Sequence, residues 1–62
     1  MKFRYGDKVV LEEGFYKGQT SPVLETRKIL WLEREYRVDP LFGVYMWVKE
    51  SSLKRQDEDS GQ

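Results

Sequence analysis

Apolar and polar positions alternate along much of this 62-residue chain, most clearly in two places. In residues 8 to 13, KVVLEE, Val9 and Leu11 fall on one face and Lys8, Val10 and Glu12 on the other, the period of two that marks a half-buried strand. In residues 44 to 49, VYMWVK, Val44, Met46 and Val48 alternate against Tyr45, Trp47 and Lys49, which predicts a strand with one inward face and an aromatic outer face. Turn signals punctuate the rest. Gly6-Asp7 precedes the first strand, and Gly14 and Gly18 bracket FYK in a loop too tight and glycine-rich for a helix. Pro22 has no N–H to give a ladder, so it belongs at the first position of a strand or on a sheet edge, with strand from Val23 onward. Asp39-Pro40 suits the opening of a type I turn, and Gly43 suits a residue of positive φ closing a short hairpin. KESSLKR then reads as a polar turn that returns Leu53 to the core.

Residues 25 to 38, ETRKILWLEREYRV, fit two periods. Ile29, Leu32 and Tyr36 satisfy helical spacing, and Glu, Arg, Lys and Leu all favour helix. Read with period two, Leu30, Leu32, Tyr36 and Val38 share a face and Trp31 points the other way. Strands on both flanks favour two strands with a tight turn near residues 27 to 30 and Trp31 partly exposed beside it. A third arrangement runs the segment straight through as a strand swapped between chains. Four or five short strands with brief turns predict an all-β domain, a small antiparallel barrel. Its expected core is Val9, Leu11, Val23, Tyr36, Val38, Met46, Val48 and Leu53.

The length allows one domain with one small core. An aromatic content of 15% compensates, since each aromatic side chain buries about 150–250 Å². The net charge of zero hides an asymmetry. Residues 1 to 55, the expected domain, hold all eleven Lys and Arg against eight Asp and Glu, a balance of +3. Residues 56 to 62, QDEDSGQ, are an acidic tail with no apolar residue, expected to be disordered. No segment approaches the ~20 apolar residues of a membrane span, and the start, MKFRYGDKVV, lacks the apolar run of a signal peptide. The expectation is a cytoplasmic protein with no membrane partner.

Catalytic candidates are few. The chain has no cysteine and no histidine, which removes the usual nucleophile, general base and soft metal ligands. Glu12 and Glu13 point to opposite faces of a strand, and Glu33 and Glu35 are interleaved with Arg34 and Arg37 as a solvated surface of mixed charge. No loop of spaced carboxylates suits a hard cation, and GFYKG lacks the Lys-Ser or Lys-Thr and the following helix of a phosphate loop. Neither catalytic residues nor metal ligands nor a cofactor are expected.

Gly6, Asp7, Val9, Leu11, Gly14, Lys17, Gly18 and Val23 together resemble the KOW motif. This motif occurs within SH3-like barrels of some transcription-elongation factors and ribosomal proteins. The resemblance spans residues 6 to 25 and departs at the motif's third glycine, where Ser21 stands, followed by Pro22. MWVKESSLK similarly looks like the last strand and 3₁₀ turn of many SH3-like barrels. The resemblance implies an SH3-like barrel of about five strands. It also implies a non-enzymatic module that contacts RNA or DNA, or its transcription and translation machinery, through the loop between the first two strands. Here that loop carries Phe15, Tyr16, Lys17 and Gln19, with Arg27 and Lys28 extending the patch. An exposed aromatic can stack a base for ~1–3 kcal/mol, and a lysine beside it can reach phosphate.

A second class stands beside this one. Trp31, Tyr45 and Trp47, or Leu41 and Phe42 at the Asp-Pro hairpin, form a candidate patch for a protein partner or a homodimer. A faint similarity of VYMW and SSLKR to type II dihydrofolate reductases, enzymes that work only as tetramers, gives a remote third.

Overall fold

The computed structural model describes residues 2 to 56, and the tail expected over residues 56 to 62 lies outside them except for Gln56. The elements run β1 (Lys8–Leu11), β2 (Thr20–Pro22), β3 (Glu25–Arg27), β4 (Glu35–Val38), β5 (Met46–Lys49), a 3₁₀ turn (Glu50–Ser52) and β6 (Leu53–Arg55). All pairings are antiparallel. One sheet has the order β2-β1-β6 and the other β3-β4-β5. The fold is all-β, as the alternation predicts, but the two sheets do not close into a barrel. The sixth strand comes from LKR. The 3₁₀ turn carries the chain from one sheet to the other, where Leu53 pairs with Leu11 and Arg55 with Val9.

The core is Phe3, Val9, Leu11, Val23, Tyr36, Val38 and Leu53, with Met46 and Val48 partly buried against it. Six of the eight expected core residues are therefore fully enclosed and two lie at its margin. Phe3 is the addition. Its ring meets Tyr36 edge-on at 5.2 Å, and Lys2 and Arg55 place cations over its faces. Val10, expected on the outer face, is buried too. It lines a hollow together with Lys17 and Lys54, long side chains whose stems can cover apolar surface while their charges stay in water.

Three boundaries differ from the pattern. β1 ends at Leu11, because Leu11 N–H donates to Gln19 and Gly18 N–H donates back to Leu11, closing the following loop. Pro22 ends β2 instead of opening a strand, though β2 is a sheet edge, where proline costs no ladder bond. Val23 lies between β2 and β3 and exchanges backbone bonds with Gly6 and Asp7. Residues 25 to 38 form a hairpin, as the flanking strands suggest, but its connection spans residues 28 to 34 instead of a tight turn. Only Tyr36 and Val38 of that segment's expected face reach the core, while Leu30 and Leu32 are exposed.

Candidate functional site

The loop joining β1 to β2 is shaped by glycine. Gly14 and Gly18 have φ near +90°, a region that side chains with a Cβ rarely enter. Lys17 N–H donates to Gly14 and Gln19 N–H to Tyr16, which leaves the Phe15 side chain at the crest, 93% exposed. Tyr16 turns inward and packs on the core, and the two rings meet edge-on at 5.0 Å. Lys17 and Gln19 are exposed. Beside them a polar hollow of about 400 Å³ is lined by Val10, Leu11, Glu12, Lys17, Gly18 and Lys54. Lys54 lies 3.6 Å from the Glu12 carboxylate.

Arg27 and Lys28 do not join this loop. They belong to the other sheet, and among the described residues no hydrogen bond, ion pair or ring contact links the two groups. Arg27 Nε donates to Glu35 at 2.7 Å, and its guanidinium lies 4.1 Å from the Trp47 ring centre. Lys28 Nζ donates to the carbonyls of Leu30 and Leu32. Both cations are thus engaged within the chain.

The second candidate set falls entirely on β3, β4, β5 and their connections. Trp47 on β5 and Tyr45 just before it lie under the guanidinium groups of Arg27 and Arg37. Arg37 also pairs with Glu25 at 3.3 Å. Leu41 and Phe42 lie in the β4–β5 connection. There Asp39 accepts bonds from Gly43 N–H and Val44 N–H, as an Asp-Pro turn closed by glycine requires. With Thr20, Pro22, Leu24, Asp39 and Pro40 they line an apolar hollow of about 380 Å³, and Phe42 is wholly exposed.

Trp31, 83% exposed, is not alone in the β3–β4 connection. Ile29, Leu30 and Leu32 are exposed with it, and Leu30 has φ 49°. Sequence reasoning placed Leu30 and Leu32 on the inner face of a strand and left Ile29 within the expected tight turn, so it missed all three. The available signal was the run ILWL itself, apolar at four successive positions where a half-buried strand alternates. The groove residues Thr20, Pro22 and Leu24 carried no such signal, since only the fold brings them beside Phe42.

Among the described residues, the acids with shifted pKa are Asp7 and Glu50. Backbone N–H donation from Arg4, helped by Arg55 at 3.0 Å, holds the Asp7 carboxyl below its usual range. The Tyr36 hydroxyl donates to Glu50 and lowers its pKa, while burial first and Glu50 second raise that of Tyr36. These groups hold the fold together and do not face either candidate surface. Among the described residues no cluster of acidic side chains is placed to hold a metal ion, and no helix is long and apolar enough to cross a membrane. No protein-family model, curated protein or solved structure matches the chain.

Proposed function

We propose that this chain is a non-enzymatic binding module on an SH3-like plan, and that its partners are proteins. The observation that carries the reading is the solvent exposure of four consecutive apolar side chains, Ile29 to Leu32, on one connection. Contiguous apolar surface of this kind marks an interaction site on a small soluble domain. Charge supports the same class, because Arg27 and Arg37 are already neutralised by Glu35 and Glu25 and stacked on aromatic rings.

A second reading, contact with nucleic acid, is favoured by one observation. Phe15 stands exposed on a glycine-bracketed loop with exposed Lys17, within the stretch that resembles the KOW motif. The two readings use different sheets, so one experiment separates them. A photo-crosslinking residue is placed at position 31 or at position 15 and irradiated in cells. Protein adducts from position 31 support the first reading. Nucleic-acid adducts from position 15, with none from position 31, support the second, and a chain that gives neither overturns both.

A further inference from the structure

The β3–β4 connection has unusual features for a plain surface loop. Its tip is four apolar residues with no charge, and Leu30 is held at φ 49°, a strained region for a bulky side chain. Part of its polar backbone is nevertheless satisfied from within. Lys28 Nζ donates to the Leu30 and Leu32 carbonyls, and Leu32 N–H donates to Ile29. The tip can therefore leave water without orphaning these polar groups, which would otherwise cost about 1–3 kcal/mol each.

The apolar hollow beside Phe42 has the same property. Its one carboxylate, Asp39, accepts bonds from Gly43 and Val44. Ser21 Oγ, beneath it, accepts from Asp39 N–H and donates to the Pro22 carbonyl. Tip and hollow lie at opposite ends of one hairpin. The tip follows β3 at residue 28, whereas Leu24 precedes β3 and Asp39 follows β4. At about 3.3 Å per residue the two ends are separated by roughly 13 Å, so a tip does not reach its own hollow.

We infer that the partner of this surface is a second copy of the chain, with the Ile29–Leu32 tip of each protomer seated in the Phe42 hollow of the other. The inference rests on the protein-binding reading and names the partner. Two hairpins laid antiparallel across a two-fold axis bring both tips to both hollows at once, the reciprocal contact that closed dimers use. The area suffices. Trp31 and Phe42 expose on the order of 400 Å² per chain between them, and Ile29, Leu30, Leu32 and Leu41 extend this toward the ~800 Å² per partner of a standard interface. Charge also permits it, since the hairpin between the two ends carries Glu25, Arg27, Glu35 and Arg37 as two internal ion pairs.

The test is sedimentation of the full chain over a concentration series, with two variants at exposed positions, Trp31→Lys and Phe42→Glu. The parent is expected to pass from monomer to dimer, and each variant alone to raise the dimer dissociation constant about a hundredfold. An equimolar mixture of the two variants should regain association. One natural contact survives in the mixed dimer, and the other brings opposite charges together. A mixture that stays monomeric while the parent dimerises overturns the reciprocal seating. A parent that is monomeric throughout overturns the dimer. Protein adducts from position 31 would then leave the protein-binding reading standing, whereas no adducts would remove both. In a parallel arm, Trp31 emission is followed in the Trp47→Phe background. A blue shift on raising protein concentration supports the inference. A blue shift only on adding phosphatidylglycerol vesicles, with a monomeric chain, overturns it in favour of a lipid surface.

Discussion

Ser21 is buried, and its hydroxyl ties β2 to the turn that follows β4. Ser21→Ala should leave the Asp39 N–H without its acceptor and cost about 1–3 kcal/mol in urea unfolding. Ser21→Gly should cost more, through added freedom of the unfolded chain. A glycine variant as stable as the parent would show that the stitch contributes nothing. Tyr36 has a comparable position. Its hydroxyl accepts from Phe3 N–H at 3.2 Å and donates to Glu50, so Tyr36→Phe should lose about 1–3 kcal/mol by the same measurement. Neither partnership was legible in the sequence. The Tyr36 position followed from alternation, but a lone phenylalanine at position 3, ahead of a glycine turn, has no periodic neighbour to mark it as core. Phe15 and Tyr16 were legible as a pair and not as individuals, because an irregular loop carries no face rule to say which ring turns inward.

Strands were easier to read than their connections. Period two placed Val9, Leu11 and Val38 correctly because each lies in a ladder whose inner face meets the core. Leu11→Ala should accordingly cost on the order of 2–5 kcal/mol, enough to unfold much of so small a domain at room temperature. An unchanged melting curve would contradict its burial. Residues 25 to 38 satisfied helix and strand spacing alike, and tertiary pairing decided between them. Thr26 opposite Tyr36 and Glu25 opposite Arg37 lock the hairpin register, while ILWL is left outside it. The clasp by Lys28 gives that connection its shape. Lys28→Met keeps most of the stem and removes the donor, so amide exchange at Leu32 should accelerate severalfold while amides of β4 stay protected. Equal exchange in both proteins would mean that the clasp does not order the loop.

Across the whole molecule, the ionisable stitches set a pH window. Asp7 and Glu50 are held below their ordinary values, so their contribution is present above the unfolded carboxylate range and is lost as pH falls through the lowered folded values. Tyr36 is raised, so its contribution is present below about pH 10 and is lost as pH rises through the folded value. The melting temperature should be flat from about pH 5 to 9 and fall on both sides. Glu50→Gln should flatten the acid limb. An acid limb identical to the parent's would remove Glu50 from this role. None of this coupling was legible in the sequence, since Lys2, Tyr36 and Glu50 are brought together only by the fold.

The contact between the two ends of the described chain also bears on the order in which the protein can assemble during synthesis. Arg55 reaches Asp7 and the Lys2 carbonyl, at 3.0 and 2.8 Å, and β1 takes β6 as one of its two neighbours. A nascent chain therefore emerges with Val9, Val10 and Leu11 ready and must wait more than forty residues for the strand that covers them. Contacts of such long sequence separation are slow to form. While residues near 55 are still inside the ribosome, β1 remains an open edge with an apolar face. Docking of β6 on β1 therefore has to follow the emergence of residues near 55, and the interval before it is when the chain is most exposed to aggregation.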